Sequence, residues 1–399
     1  MKYLLFIFDG MADNIDDFAG GKTPIVMANT PNIDKIARKG VVGTAQTTPV
    51  GMNPGSDITN MGILGYDPNI FYKGRGAIEA AALGIEMSAT DVAYRTNLIS
   101  TDGKIMLDSS ADHISDEEAT ELLKAINDNF SNDRISFHTG VSYRHIMVVK
   151  NGFMNVDLHP PYKFISESLE NHKPQGDFSE EFWQMIQKSY EILENHPINI
   201  KRKKNGYLPA NQIWFWAEGK VANFTDFKEK FNKKGSVIAA VDLIKGLGKL
   251  TGLSVPAIPE ATGYIDTSYE NKAKYAIKAL KENDFVWIHI EAADEAGHEK
   301  NLTEKVKAIE NMDNIVLKNI LNYLEKNNEE YRILLMPDHP TPISTGSHTS
   351  DPVPFVIFDS RKDEKNYILY NEVSALKSSV KIDKAWELMP MLLEIEPKV

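Results

Sequence analysis

Residues 285–298, with the sequence FVWIHIEAADEAGH, decide the fold class because they join a short apolar run to a polar segment. The run at 285–290 has the length and composition of a buried strand, and Glu291 and Asp294 follow it where the strand should end. Three other segments repeat this pattern: 4–8 before Asp9, 237–241 before Asp242, and 333–336 before Asp338 and His339. The chain therefore contains a set of buried strands that each end at a polar residue.

Amphipathic segments at 30–39, 270–282 and 303–326 separate several of these strands. Strands that alternate with helices predict a mainly parallel sheet with helices on both faces, so the expected fold class is α/β. In such sheets the reactive groups gather beyond the carboxyl ends of the strands. The Asp and His residues of this chain fall at those ends.

The middle of the chain, at 87–207, has a less regular pattern of strand-like and helical segments. The pattern is interrupted by His159-Pro160-Pro161 and by a basic run at 201–204. We interpret 87–207 as an inserted α+β domain that covers the substrate. The catalytic core is then discontinuous, formed by residues 1–86 and 208–399.

Composition narrows the possible partners and cofactors. The 44 basic and 56 acidic residues give a formal charge of -12, which argues against nucleic acid or an anionic membrane as the main partner. The apolar run near the N-terminus is too short to span a bilayer, so we expect a soluble cytoplasmic protein. The sequence contains no cysteine, which excludes thiolate catalysis and Cys-ligated metals. Oxygen and imidazole ligands favour manganese, magnesium or zinc.

Several residues at the strand ends could bind a metal. Asp294 and His298 lie four apart, so both side chains would reach one ion from the same face of a helical turn. Asp338-His339 follows an apolar run, although an N-cap and a turn would explain this pair equally well. His348 lies in a polar loop, where a ligand and a plain surface histidine are both reasonable.

Ser56 precedes a predicted helix at 58–64, and its simplest role would be the N-cap of that helix. A hydroxyl at a helix N-terminus can also form an alkoxide or hold a phosphate, because the helix dipole favours negative charge there. Seven residues supply oxygen or nitrogen ligands in total: Asp9, Ser56, Asp294, His298, Asp338, His339 and His348. Seven ligands suffice for two cations, an arrangement that recurs in phosphoryl transfer.

The constellation resembles the alkaline phosphatase superfamily and, within it, the archaeal-type cofactor-independent phosphoglycerate mutase family. The matching segments run in family order over nearly the whole chain: 8–13 (FDGMAD), 22–24 (KTP), 28–34 (ANTPNID), 54–57 (PGSD), 64–68 (LGYDP), 74–76 (GRG), 261–264 (ATGY), 294–298 (DEAGH), 338–339 (DH) and 351–354 (DPVP). So many ordered matches make the resemblance far more specific than any single motif.

The resemblance implies an isomerase of glycolysis that interconverts 3-phosphoglycerate and 2-phosphoglycerate through a phosphoserine on Ser56. It also implies two divalent ions, Mn²⁺ first among them. One would bind Asp294, His298 and His348; the other would bind Asp9, Asp338, His339 and the Ser56 oxygen.

A substrate with one carboxylate and one phosphate needs fixed polar or cationic groups. The candidates are Arg95, Arg144, His145, Arg202 and Lys245. Arginine suits this role because its planar fork can grip either anion with two hydrogen bonds. Each residue could instead be a surface cation or a partner of the abundant acidic residues.

Two further activities are compatible with the same ligands. The segments 337–342 (PDHPTP) and 289–294 (HIEAAD) resemble a bacterial branch that includes proposed homoserine kinases, in which the acceptor would be a small amino-acid alcohol. The sequence lacks a complete phosphate loop, since no glycine stands at Asp16 before Gly21-Lys22-Thr23. A phosphatase or phosphodiesterase of the same superfamily is the other alternative.

Overall fold

The computed structural model describes residues 1–363 and 368–395. The chain forms two compact units: the first contains Met1–Tyr72 together with the chain from Asn223 onward, and the second is Lys73–Ala222. The second unit therefore begins and ends about 15 residues outside the range 87–207 that we assigned to the inserted domain from the sequence.

The described strands, in chain order, are β1 (Lys2–Phe8), β2 (Val41–Ala45), β3 (Val92–Thr101), β4 (Met106–Asp108), β5 (Ile135–His138), β6 (Arg144–Val149), β7 (Val156–Asp157), β8 (Gln175–Gly176), β9 (Gln212–Lys220), β10 (Gly235–Ile238), β11 (Phe285–Ile290), β12 (Tyr331–Met336), β13 (Val353–Asp359) and β14 (Lys381–Ile382).

The described α-helices are α1 (Pro24–Met27), α2 (Pro31–Ala37), α3 (Ser56–Ile63), α4 (Pro68–Phe71), α5 (Arg75–Ala82), α6 (Asp116–Phe130), α7 (Ser179–Leu193), α8 (Pro197–Lys204), α9 (Phe227–Phe231), α10 (Asp242–Leu250), α11 (Tyr269–Glu282), α12 (Ala292–His298), α13 (Leu302–Asn311), α14 (Lys318–Lys326), α15 (Glu372–Leu376) and α16 (Leu388–Leu393). A π-helical segment, Met312–Leu317, joins α13 to α14. Each of these helices is too short or too polar to serve as a membrane span.

The central sheet of the first unit has the strand order β10-β11-β1-β12-β13-β2-β14. Strands β10, β11, β1 and β12 are parallel to one another, β13 is antiparallel to both of its neighbours, and β14 is parallel to β2. The α/β class with a mainly parallel sheet, predicted from the sequence, is confirmed.

The parallel strands are mainly apolar because helices cover the sheet. Every residue of β11 and β12 is buried, and so is all of β1 after Lys2. Side chains on opposite faces of a covered strand both enter a core, which explains the continuous apolar runs. The polar side chains at the strand ends are therefore held by a rigid framework.

The second unit is an α+β domain built on an antiparallel sheet. Its strand order is β4-β3-β6-β5, with β9 also paired to β3. Helix α5 belongs to this unit because Gly76 lies against the backbone of β3, where an added Cβ would approach the Ala93 carbonyl oxygen to 2.3 Å. The pairing of β9 with β3 and the packing of α5 explain why this unit is longer than the sequence indicated.

Candidate metal centre

The candidate ligands lie at one edge of the first unit's sheet. Strands β11, β1 and β12 are neighbours in register, with Phe8 opposite Ile290 and Ile7 opposite Met336. These strands are followed by Asp9, by the segment that carries Asp294, and by Asp338. Parallel strands that end together bring these three carboxyl groups to one place.

Gly10 allows the chain after β1 to pass directly against helix α12. Its φ is +61°, and a Cβ added at this position would lie 2.5 Å from Asp294 Cα. Only glycine fits this close approach, and its left-handed conformation carries no penalty. Asp9 therefore supplies a carboxylate, and Gly10 lets the backbone after it lie directly against Asp294.

Ser56 contacts the ligand cluster through His339. Its Oγ lies 3.1 Å from His339 Nε2, and the same nitrogen is 3.5 Å from Asp9 Oδ1 and 3.4 Å from Asp338 Oδ2. Gly55, not Ser56, is the N-cap of α3, so the capping role considered from the sequence is wrong. Ser56 is the first helical residue, and its hydroxyl points to the cluster.

Helix α3 also fixes Asp338. Asn60 Nδ2 and Thr59 Oγ1 donate to Asp338 Oδ2 at 2.7 and 3.1 Å, and the Gly10 N–H donates to Oδ1 at 3.3 Å. Hydrogen bonds of this kind orient a carboxylate before it binds an ion. Thr59 and Asn60 were not among the residues predicted from the sequence, although both follow Ser56 at helical spacing.

Asp294, His298 and His348 form the second group of ligands. His298 Nε2 is 3.1 Å from Asp294 Oδ2 and 3.0 Å from His348 Nε2. His348 Nε2 is 3.4 Å from Asp294 Oδ1. The two imidazoles direct these nitrogens toward the same carboxylate.

The backbone sets the tautomers of both imidazoles. His298 Nδ1 lies 2.9 Å from the Gly346 carbonyl and His348 Nδ1 lies 2.7 Å from the Pro54 carbonyl. Each Nδ1–H therefore donates, which leaves the paired Nε2 atoms as lone-pair donors 3.0 Å apart. Two lone pairs at this distance need a shared proton or a cation between them, so these residues fit a divalent ion.

The protonation of this edge follows from burial and crowding. Burial, together with the charges of Asp338 and Asp294, holds the pKa of Asp9 well above its ordinary value. Burial also opposes ionisation of Asp294, but hydrogen bonds from His298 and His348 outweigh it and lower the pKa of Asp294. The bond to Asp294 raises the pKa of His298 to about 9. Bound divalent ions would replace these protons as the compensating positive charge.

His289 and Glu291 were missed as site residues by the sequence analysis. His289 is buried in β11, with Nε2 3.1 Å from Asp9 Oδ2, and Glu291 follows the end of that strand. Burial lowers the pKa of His289 to about 3. A histidine inside an apolar strand resembles a core residue, so only the unusual pattern His-x-Glu at the strand end could have indicated it.

Three of the predicted anion-binding residues lie on β3 and β6 of the second unit. Arg95 is buried, with Nε 2.9 Å from Glu79 Oε2 and its guanidinium 4.0 Å from the Trp216 ring centre. Arg144 is exposed at the start of β6. His145 is buried, and its Nδ1 accepts from the Gly140 N–H at 3.2 Å, so Nε2 carries the proton.

Arg202 and Lys245 differ from those three. The Arg202 guanidinium bonds to Glu118 and to the carbonyls of Leu208 and Ala111, so every one of its nitrogens holds the second unit together. We therefore assign Arg202 a structural role and leave it out of the anion-binding set. Lys245, in the first unit, lies 3.3 Å from Asp242 one turn earlier in α10.

These observations define the class of the protein: an α/β protein in which clustered Asp and His residues beside a serine hydroxyl could hold divalent metal. A family model described as 2,3-bisphosphoglycerate-independent phosphoglycerate mutase matches residues 37–199. A Methanosarcina mazei protein of that name is 43% identical over 396 residues, which cover 99% of this chain and 100% of the relative. The chain belongs to the 2,3-bisphosphoglycerate-independent phosphoglycerate mutase family.

Two solved structures share the whole fold. A protein from Pyrococcus horikoshii has a TM-score of 0.83 and 28% identity, covering 100% of this chain and 99% of its own. The cofactor-independent phosphoglycerate mutase from Thermoplasma acidophilum has a TM-score of 0.65 and 25% identity, covering 99% of both chains. The family resemblance that we derived from the sequence is confirmed.

Proposed function

We propose that this chain interconverts 3-phosphoglycerate and 2-phosphoglycerate through a phosphoserine on Ser56, in the cytoplasm. The observation that carries the proposal is the Ser56 hydroxyl, 3.1 Å from His339 Nε2 at the start of α3 and beside two groups of metal ligands. Relatives that match the whole chain and are named phosphoglycerate mutases support the same substrate.

The chemistry balances over two half-reactions. In the first, a bond forms between Ser56 Oγ and phosphorus while the bond between phosphorus and the C3 oxygen breaks. Ser56 loses one proton in this step, and the C3 oxygen gains one. In the second, a bond forms between the C2 oxygen and phosphorus while the bond between phosphorus and Ser56 Oγ breaks, and the proton lost by the C2 hydroxyl returns to Ser56. Divalent ions, when bound, would stabilise the negative charge on the serine oxygen and on the transferring phosphoryl group.

The protein's own groups orient this attack. Ser56 lies at the positive end of the α3 dipole, which favours negative charge on its oxygen. Thr59 and Asn60, one turn further on, hold Asp338 in position. Nucleophile and ligand are therefore fixed by the same helix.

We propose two ions for the transfer, with Mn²⁺ preferred. Asp294, His298 and His348 would hold one; Asp9, Asp338, His339 and Ser56 would hold the other. The mixture of imidazole nitrogen and carboxylate oxygen supports manganese or zinc over magnesium, which prefers oxygen ligands alone.

Arg95, Arg144, His145 and Lys245 are the proposed anion-binding residues. Glu79 and Trp216 hold Arg95 in one orientation, which supports a bidentate grip on a carboxylate or phosphate. His145 can contribute only a neutral N–H donor, because burial lowers its pKa to about 3. Lys245 contributes a flexible charge.

A coupled assay tests the proposal. Manganese-loaded protein is given 3-phosphoglycerate, and enolase reports the 2-phosphoglycerate formed. We expect turnover in the wild type and none in Ser56→Ala. Ser115→Ala is the control, because Ser115 lies at the N-terminus of a helix in the second unit: it is the N-cap of α6, and its side chain accepts from the Glu118 N–H.

Three other results would contradict the proposal. Turnover that survives in Ser56→Ala would exclude the phosphoserine. Inorganic phosphate as the main product would indicate a phosphatase. ATP-dependent phosphorylation of homoserine without mutase activity would assign the chain to the other activity considered from the sequence.

A further inference from the structure

The segment Gly74-Arg75-Gly76 has no role in the function proposed above, although it is one of the matching segments. Its glycines let the start of α5 lie directly against β9 and β3. A Cβ added at Gly74 would lie 2.1 Å from the Glu218 carbonyl oxygen, and one added at Gly76 would lie 2.3 Å from the Ala93 carbonyl oxygen. Gly74 also has a φ of +96°, which favours glycine. The first turn of α5 therefore has a fixed position on the antiparallel sheet.

Glu79, one turn after Arg75 in α5, contacts two arginines through different oxygens. Arg75 Nε donates to Glu79 Oε1 at 2.7 Å, and Arg95 Nε lies 2.9 Å from Glu79 Oε2. The Glu79 side chain is only 12% exposed. The Trp216 ring also contacts the Arg95 guanidinium, which lies 4.0 Å from the ring centre. One carboxylate thus fixes the separation of two guanidinium groups that come from α5 and β3.

Positive charge exceeds negative charge around Glu79. Burial opposes ionisation of Glu79, but the charges of Arg95, Arg75 and Arg144 outweigh it and lower the pKa of Glu79. Burial lowers the pKa of Arg95 to about 10, and the charges of Arg75 and Arg144 act in the same direction. Three guanidinium groups thus act on one carboxylate, and a bound anion would neutralise the excess.

We propose that Glu79 is a positioning residue that holds Arg75 and Arg95 as one anion-binding pair, so that Arg75 joins the residues that bind the substrate. Guanidinium groups held at a fixed separation can grip a carboxylate or phosphate with several hydrogen bonds. Without the Glu79 carboxylate, the two like charges would repel each other and lose this arrangement. The inference rests on the proposed function, because it deepens the anion site that contains Arg95.

The test measures binding without turnover. Ser56→Ala protein loaded with MnCl₂ is titrated in a calorimeter with 3-phosphoglycerate and, separately, with O-phosphohomoserine. We expect Arg75→Gln in this background to raise the Kd of the compound that binds by about 10–100-fold, as the loss of a charged hydrogen bond does. Lys73→Gln is the matched control: it removes an exposed positive charge two residues earlier and should change the Kd by less than about twofold.

Glu79→Gln tests the positioning role, because it removes the charge and keeps the size of the side chain. We expect it to weaken binding in the Ser56→Ala background, and to weaken it less when Arg75→Gln is also present, since residues that act through one another are not additive. Glu86→Gln, which changes an exposed acid just after α5, is the matched control and should leave the Kd unchanged. Additive effects, or tighter binding in Glu79→Gln, would overturn the positioning role.

Two further results would overturn the inference: equal Kd values for Arg75→Gln and Lys73→Gln, or binding of neither compound. Circular dichroism checks that the variants fold. If Glu79→Gln does not fold, Arg75→Gln decides the question, because the Arg75 side chain is 36% exposed. The proposed function is decided separately by enolase-coupled turnover of the wild type. Absent turnover would contradict that function, whereas a weakened Kd in Arg75→Gln would still support the arginine pair.

Discussion

Asp9 and Asp13 are both buried, but they differ in the groups that compensate the charge of the carboxylate. Asp13 Oδ2 accepts from Lys305 Nζ at 2.8 Å and from the Ile343 N–H at 3.3 Å, and Oδ1 accepts from the Asn14 N–H at 3.0 Å. Asp9 has other carboxylates as neighbours, and its Oδ1 has no hydrogen-bond partner within the described ranges. One charge is neutralised by the protein and the other is left for a ligand.

The contrast distinguishes structural from functional buried charge. A buried carboxylate is tolerated when a cation and several N–H groups contact it, as they do at Asp13. Where such partners are missing, the fold keeps a costly arrangement because something outside the chain completes it. Four predictions test this difference, from the largest expected effect to the smallest.

Asp9→Asn should abolish mutase activity while leaving the metal-free fold intact. Losing a metal ligand should cost at least ~10³-fold in turnover, because metal-assisted charge stabilisation is worth several kcal/mol. The melting temperature in excess EDTA should hold or rise, since repulsion from Asp338 and Asp294 is removed. The enolase-coupled assay and thermal melts measure both quantities. A large fall in the metal-free melting temperature would show that Asp9, like Asp13, stabilises the fold.

Lys305→Met should do the reverse and weaken the fold. It leaves Asp13 buried without its cation, so we expect a loss of about 3–5 kcal/mol in the free energy of unfolding. Urea denaturation with EDTA present gives the value. Lys307→Met, two residues away and exposed, should change it by under about 0.5 kcal/mol. Equal values for the two lysine variants would refute the comparison.

Thr341→Val should weaken metal binding and preserve stability. The Thr341 hydroxyl donates to Asp294 Oδ1 and lies 3.3 Å from His339 Nδ1, so it orients both ligands. Loss of such a contact typically costs about 10–100-fold in metal affinity. Manganese titration calorimetry measures the change, with exposed Thr345→Val as the control. Unchanged affinity in Thr341→Val would contradict this orienting role.

Lys35→Gln should have the smallest effect of the four, although its ion pair is shorter than the pair between Lys305 and Asp13. Lys35 Nζ lies 2.6 Å from Glu325 Oε1, but the two side chains are 56% and 46% exposed. Water screens exposed pairs, so the loss in unfolding free energy should stay below about 1 kcal/mol. Urea denaturation beside Lys305→Met tests whether burial, rather than distance, sets the strength. A loss comparable to that of Lys305→Met would show that it does not.

The sequence predicted three of the four strand ends correctly because a buried parallel strand is mainly apolar and usually turns polar where it leaves the sheet. The fourth prediction, a strand at 237–241 that ends before Asp242, is wrong, since β10 ends at Ile238. Asp9, Asp294 and Asp338 were found by this rule. His289 was not, since a single histidine within FVWIHI looks like one more core residue. Its role depends on Asp9, which is 280 positions away in the sequence.

Long-range contacts also explain the other differences. Arg202 lies in a basic run that favours a surface or ligand role, yet its partners Glu118 and Ala111 are separated from it by 84 and 91 positions. The extent of the second unit depends on the pairing of β9 with β3, which no local pattern encodes. Local sequence patterns thus predict where strands end, whereas contacts between distant residues determine which polar residues belong to the site.

Because β13 is antiparallel to β12, one short connection between these strands carries several of the candidate metal ligands. The chain leaves β12 at Met336 and enters antiparallel β13 at Val353, so Asp338, His339 and His348 all lie on a connection that needs no crossover helix. Ser344, Thr345 and Ser347 at its tip are exposed. A single protease cut at that tip would leave every hydrogen bond of the sheet in place. It would nevertheless place Asp338 and His339 on one new chain end and His348 on the other. These side chains would then no longer be held together by a continuous loop, and we expect metal to bind more weakly.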